Sequence, residues 1–173
     1  EIGVASGGTT KLILEDNKIK LNKFAGIDPH IPYIEKTKKE NMDNAKNKYL
    51  KIIENSIVKY YNDFSINVLS KFVLNNNFFD CIIIDGCHMA RNVLEDLILS
   101  FNILNINGYL IIDDYKWFPN RKNTREIFFE SFELTPIYRR CKDVIDIFIK
   151  AYEPNIKIIF KGDIVILQKI NKL

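Results

Sequence analysis

Residues 79–117 read FDCIIIDGCHMARNVLEDLILSFNILNINGYLIIDDYKW, and two short apolar runs in this stretch decide the fold. Cys81–Ile84 lies between Asp80 and the Asp85-Gly86 turn, and Tyr109–Ile112 lies between Gly108 and the Asp113-Asp114 pair. Runs this short and this apolar, bounded by turn residues, predict strands buried on both faces, as in a parallel sheet. Between them Val93, Leu94, Leu97, Ile98, Phe101 and Leu104 recur at three- and four-residue spacing, which predicts a helix with one broad apolar face. The unit is therefore βαβ. In open α/β sheets ligands bind beyond the carboxyl ends of the strands, and Asp85, His88, Asp113 and Asp114 all fall there. A single Asp at a strand end is explained as a turn residue, and His88 alone as a structural residue at a helix start. Three carboxylates and an imidazole on one rim point to chemistry.

Composition frames this unit. The chain has 173 residues, 47% of them hydrophobic and 12% aromatic, which suits one globular domain with a substantial core. Residues 1–173 are accordingly expected to form a single domain. A formal net charge of +3 is too mild to imply a nucleic-acid partner by itself. Cys81, Cys87 and Cys141 lack CxxC spacing, so neither a disulfide framework nor a zinc knuckle is indicated. A reduced, cytoplasmic setting is the expectation. No apolar run reaches the roughly 18 residues of a membrane span, and no signal-peptide pattern is present. Glu1-Ile2-Gly3 already reads as part of a strand, which predicts further residues before Glu1.

Working outward towards the start, EIGVASGGTTKLILE combines a strand end, a turn with Gly3, Gly7 and Gly8, and a helix from about Thr9 to Glu15. Such glycines let the backbone approach a ligand, and a helix N-terminus favours negative charge. The competing reading is a glycine turn that needs no ligand. Phe24–Ile27 is a second strand ending at Asp28, where a carboxylate is placed to accept hydrogen bonds from ribose hydroxyls. Ile34 to Asn55 reads as an exposed, Lys-rich helix, and Ile57–Tyr61 as a third strand. Ser65 is the expected N-cap of a helix over Ile66–Leu74, with Asp63 at the end of the third strand as a possible ligand-facing residue.

Past Trp117 the regularity stops. Residues 118–140 mix prolines, aromatics and basic side chains and are expected to act as an inserted lid-like segment. A helical period returns over Cys141–Tyr152, followed by strands at Ile156–Phe160 and Asp163–Lys169. The short Lys161-Gly162 join forces a hairpin, so the last strand should run antiparallel.

Taken together, EIGVASGGT, GIDP, IIDGCH, NGYLIIDDYKW and the closing IDIFIKAY and IIFKGDIVILQK resemble the class I S-adenosylmethionine-dependent methyltransferases, and within them the macrocin O-methyltransferase branch, or methyltransferase 24 family. Asn107-Gly108 departs from the Gly-Gly common in that family. The resemblance implies a Rossmann-like α/β sheet of seven strands in the order 3-2-1-4-5-7-6, with only the last strand antiparallel. It implies a cofactor pocket in which Glu1 and Gly3 shape the methionine end, Asp28 takes the ribose and Asp63 the adenine amino group, with Gly7 and Asp85 also among the cofactor-binding residues. In related metal-dependent enzymes the positions of Asp85, Asp113 and Asp114 bind a divalent cation such as Mg²⁺, and His88 stands where a basic residue acts as general base.

The activity so implied is O-methylation of a hydroxyl on a sugar or similar small polyhydroxylated acceptor, with Asp85 and His88 at the catalytic centre. Two alternatives stay open on the residues alone. One is RNA binding or RNA modification through the basic surface of Lys36 to Lys51 and Arg121 to Arg140, although nucleic acid is not the expected partner. The other is a catalytically silent module that binds the cofactor without turnover.

Overall fold

The computed structural model describes residues 1–5, 7–16, 18–29, 57–117 and 140–172. The helix expected over 34–55 and the lid-like segment, apart from Arg140, lie outside the described residues, and with them most of the basic surface considered for RNA. The chain forms two compact units, residues 1–71 and 72–173.

In the first unit, strand β1 (Phe24–Ile27) pairs in parallel with β2 (Val58–Tyr61), from Phe24 opposite Val58 to Ile27 opposite Tyr61. The expected first strand is a single parallel bridge between Ile2 and Ile27. Gly3 N–H donates to Ile27 O (2.9 Å) and Ile27 N–H to Glu1 O (2.8 Å), which places these segments in the predicted 3-2-1 order. Helix α1 (Gly8–Glu15) follows Gly7 and buries Thr10. Helix α2 starts at Ser65 and runs to Leu74. Ser65 is therefore the first helical residue and not the cap. Phe64 O accepts the first backbone bonds of the helix, from Asn67 N–H and Val68 N–H, while Asp63 Oδ1 accepts from Phe64 N–H and Asn67 Nδ2–H, both at 2.8 Å. A carboxylate just before the helix also suits the positive end of its dipole.

The second unit contains β3 (Phe79–Ile84), α3 (Ala90–Ile103), β4 (Leu104–Ile112), α4 (Cys141–Ala151), β5 (Ile156–Lys161) and β6 (Val165–Lys169), with a 3₁₀ turn at Glu153–Asn155. Its sheet order is β3-β4-β6-β5. β3 and β4 are parallel, and β6 is antiparallel to both its neighbours. This is the predicted 4-5-7-6 half with its reversed last strand.

Two details of the central unit differ from the sequence expectation. The buried stripe of α3 runs through Ala90, Val93, Asp96, Leu97, Ser100 and Phe101, while Ile98 is 37% exposed. The helix turns its face by one residue, because α4 covers it and Phe101 must meet Phe148 (5.7 Å) and Tyr152 (4.9 Å) edge to face. Strand β4 also begins five residues early, at Leu104 where Tyr109 was expected, with an irregularity between Phe79 and Cys81 in the ladder with β3. Asn107 and Gly108 lie in the stretch of β4 opposite that irregularity. Asn107 adopts φ 67, a left-handed conformation that Asn tolerates better than most residues, which explains why the departure from Gly-Gly is mild. Gly108 is needed for close approach: a Cβ there would lie 2.9 Å from the carbonyl oxygens of Asn105 and Asp80.

The core of this unit is mainly apolar. Leu97, Leu110, Ile145 and Val165 have no exposed surface. Lys169 is buried with its ammonium donating to Phe101 O and Leu104 O at 2.8 Å, so a cation closes the C-terminus of α3. At the edge, β5 leaves Ile158, Ile159 and Phe160 exposed between Lys157 and Lys161. No helix among the described residues is long and apolar enough to cross a membrane.

Glycine substitutions test this account. Gly108→Ala forces backbone against backbone, so it should destabilise the protein by about 1–3 kcal/mol. Gly8→Ala, at a helical site with nothing within 4 Å of the added carbon, should instead stabilise by roughly 0.5–1 kcal/mol. Urea unfolding of the two variants measures both; equal effects would refute the close approach at Gly108.

Candidate functional site

The first unit gathers its candidate residues around the glycine turn. Gly3 (φ 85), Ala5 (φ 45) and Gly7 (φ 74) are all left-handed, so the chain curls tightly before α1. Only Ala5 carries a side chain into that strained region, and its N–H donates to Asp28 Oδ2 at 2.7 Å. Asp28 therefore serves the turn with one carboxylate oxygen. Its main chain is fixed as well, by Asp28 N–H to Tyr61 O (3.1 Å) and by Tyr60 O–H to Asp28 O (2.5 Å). The Glu1 carboxylate accepts a hydrogen bond from Thr10 Oγ1 in α1. Asp63 lies at the end of β2, where hydrogen bonds from Asn67 and Phe64 N–H hold its carboxyl below the usual range.

The second unit brings together the other four. Because Ile84 pairs with Ile112 in a parallel ladder, the chain leaves β3 and β4 side by side, and Asp113 N–H continues the ladder to Ile84 O at 3.0 Å. Asp113 Oδ1 accepts from Asp114 N–H at 2.8 Å. Asp114 itself has φ 54, a conformation that costs a non-glycine residue about 1–3 kcal/mol and is retained where structure around it insists. Its carboxylate is thereby turned onto the imidazole, with Oδ2 3.0 Å from His88 Nδ1. The His88 ring also packs against Trp117 at 5.0 Å between centroids.

Electrostatics make this rim costly. Asp85 is pushed up to about 6, chiefly by burial, then by repulsion from Asp113 and Asp114, with His88 partly offsetting them. Behind it, burial pushes the thiols of Cys87 and Cys141 up, Cys141 to about 11. Cys141 Sγ–H donates to His88 O at 3.1 Å.

Among the described residues no group of three or more His, Cys, Asp or Glu side chains is placed to hold a metal ion. The expected trio of Asp85, Asp113 and Asp114 does not close as a ligand cluster, because Asp114 is directed at His88 and Asp113 at the N–H of Asp114. Each of those bonds occupies one carboxylate oxygen. The donor set still suits a hard cation in kind and in charge.

Several contributors escaped the sequence reading. Tyr115 O–H donates to Asp146 Oδ1 (2.9 Å), which also accepts from Lys161 Nζ (2.7 Å), and Lys116 pairs with Asp163 at 3.0 Å. Partners 31 and 15 residues apart leave no local pattern to find. Trp117 was quoted only as part of a motif, yet it packs on the imidazole.

Comparison with known proteins sets this geometry in context. A protein of Acanthamoeba polyphaga mimivirus, itself uncharacterized, is 32% identical over 124 residues, 69% of this chain and 53% of that protein. The chain thus spans about half the length of this relative. Among solved structures, the O-methyltransferase TomG of Streptomyces achromogenes, involved in tomaymycin synthesis and in complex with S-adenosylmethionine, superposes with a TM-score of 0.62 at 9% identity, over 98% of this chain and 71% of that one. MycE, a methyltransferase of the mycinamycin biosynthetic pathway in complex with Mg and S-adenosylhomocysteine, gives 0.52 at 13% identity, over 86% of this chain and 38% of that one. At these identities the likeness is one of fold: a Rossmann-like α/β methyltransferase architecture. Residues 1–115, running through both units, match the methyltransferase 24 family model, described as a methyltransferase domain, and the chain belongs to that family.

Proposed function

We propose that this chain is the catalytic domain of an S-adenosylmethionine-dependent O-methyltransferase acting on a hydroxyl of a small sugar or polyhydroxylated acceptor. The observation that carries the reading is the His88–Asp114 pair, 3.0 Å apart at the ends of two parallel strands. The family match through both units supports treating residues 1–173 as one functional domain. It also supports assigning cofactor binding to Glu1, Gly3, Gly7, Asp28 and Asp63 in the first unit and to Asp85 in the second. The TomG and MycE complexes with cofactor or product support S-adenosylmethionine as the donor, and the MycE complex with mycinamycin VI supports a small-molecule acceptor. The free thiols of Cys81, Cys87 and Cys141 accord with a cytoplasmic location.

The reaction follows from the pair. Asp114 Oδ2 stands 3.0 Å from His88 Nδ1, so it pairs with the imidazolium that forms when Nε2 takes up a proton. The acceptor oxygen attacks the methyl carbon in line, the carbon–sulfur bond breaks with its electrons staying on sulfur, and the hydroxyl proton passes to Nε2. S-adenosylhomocysteine and the methyl ether result. The Trp117 ring packs against the imidazole, 5.0 Å between centroids. A divalent cation such as Mg²⁺, held by Asp85, Asp113 and Asp114, would neutralise crowded carboxylates and lower the pKa of a bound hydroxyl. The carboxyl of Asp85, raised by burial and then by Asp113 and Asp114, supports that assignment, as does Mg in the MycE complex.

Transfer of labelled methyl groups to a panel of sugars and polyols tests the reading. His88→Ala should lower turnover about 10²- to 10⁴-fold while leaving cofactor binding, measured by calorimetry, nearly unchanged. Full activity in that variant would remove the base. Cofactor binding without product from any acceptor would point to the silent module, and steeply salt-dependent RNA binding to the nucleic-acid alternative. Chelation and Asp113→Ala should each depress metal-stimulated turnover; indifference to both would dispose of the cation and leave the methyl transfer standing.

Asp85 yields a prediction independent of turnover. Its folded pKa lies above the unfolded value of 3.8, so its contribution to stability is fully present below about pH 4 and is lost as pH rises through about 6. Asp85→Asn should therefore melt higher than the parent at pH 7 and lose that advantage near pH 4. A melting difference independent of pH would contradict the buried charge.

A further inference from the structure

We propose that Tyr115, Asp146 and Lys161 act together as a positioning group for the His88–Asp114 pair, a proposal that rests on His88 being the proton acceptor. The left-handed backbone of Asp114 aims its carboxylate at the imidazole, and a non-glycine residue stays in that conformation only when its neighbours hold it. The neighbour is Tyr115, which is 6% exposed and gripped at both ends. Its N–H donates to Asp163 O at 2.8 Å, and its O–H donates to Asp146 Oδ1 at 2.9 Å. Lys161 completes the grip. Its Nζ reaches the same Asp146 oxygen at 2.7 Å and lies 5.2 Å from the centre of the Tyr115 ring. Burial works against charge on Asp146, but the bonds from Lys161 and Tyr115 outweigh it and hold the carboxyl below its usual range. The anchor therefore stays ionised at neutral pH.

Helix α4 supplies a second point of support. Cys141, five residues before Asp146 and 1% exposed, donates from Sγ to the carbonyl of His88 at 3.1 Å. One helix thus touches the residue that bears the imidazole and, through Tyr115, the residue that bears its carboxylate. A rigid element spanning both is how a donor–acceptor distance is kept to a few tenths of an ångström. None of the three side chains contacts His88 in the structure, so they act through Asp114 and are positioning residues.

A merely structural role predicts loss of stability with no particular link to His88, and a double-mutant cycle separates the two. Asp146→Ala should lower kcat by about ten- to hundredfold with the KM for S-adenosylmethionine little changed, and in a His88→Ala background it should lower kcat no further. Asp146→Asn, which keeps an oxygen for the phenol, should restore most of the loss. The imidazole signals of His88 in nitrogen-15 NMR spectra of the ligand-free protein should shift in Asp146→Ala. If that variant fails to fold, Tyr115→Phe, which keeps the ring and removes the hydroxyl, carries the same measurements. An equal fall of kcat with and without His88, or unshifted imidazole signals, would overturn the proposal. Shifted signals in a parent protein that methylates no acceptor would uphold the positioning and reject the methyltransfer reading instead.

Discussion

Parallel pairing of β3 with β4 in one register is the constraint on which the site rests. With Ile84 opposite Ile112, the residues that follow, Asp85 and Asp113, leave the sheet side by side. A slip of one residue would reverse which side chains face the core and would separate the acidic ends. Register is secured from below, where Gly108 lets the chain pass within van der Waals contact of the Asp80 carbonyl, and from above, where Asp113 N–H extends the ladder to Ile84. Everything chemical on this rim, including the turn that points Asp114 at His88, follows from those two fixed ends.

The rim is also where local preferences are violated. Asp114 occupies a left-handed conformation without being glycine, and Asp85 is half buried beside two other carboxylates. Neither arrangement favours folding. Both are offset by the apolar body of the unit, in which Leu97, Leu110, Ile145 and Val165 are wholly enclosed. Crowded carboxylates and a strained backbone at a strand-end rim are the pattern expected of a functional site, since activity and stability make different demands on the same charges.

Much of this was legible from residues in line. The strand order within each unit came with the family resemblance, but short apolar runs and acidic strand ends carried the strands, and the Gly162 hairpin the reversal of the last one, because those features are local. His88 and the three Asp residues were legible as a group for the same reason. What was hidden depends on partners distant in sequence. That Asp114 would hold the imidazole required its φ angle. That Ser65 would lie inside the helix, with Asp63 bonded to the Asn67 side chain instead, required the side-chain geometry of the first turn. The turning of the α3 face towards Asp96 and Ser100, away from Ile98, required α4, which lies some forty residues later. The network of Tyr115 with Asp146 and Lys161 has no signature in sequence, since each partner on its own reads as an ordinary surface residue.

Strand β5 borders the sheet with Ile158, Ile159 and Phe160 open to solvent, and a border of that kind is a template on which another chain can hydrogen-bond. Lys157 and Lys161 bracket it, so any chain laid along it in search of ladder bonds would bring its own strand up against two ammonium groups. Lys161 thereby serves colloidal behaviour and internal order at once: the same charge that discourages intermolecular pairing is the one bound to Asp146. Neutralising it would expose the sheet border to association while loosening the loop beside it, so that precipitation and loss of local order would arise together from a single side chain.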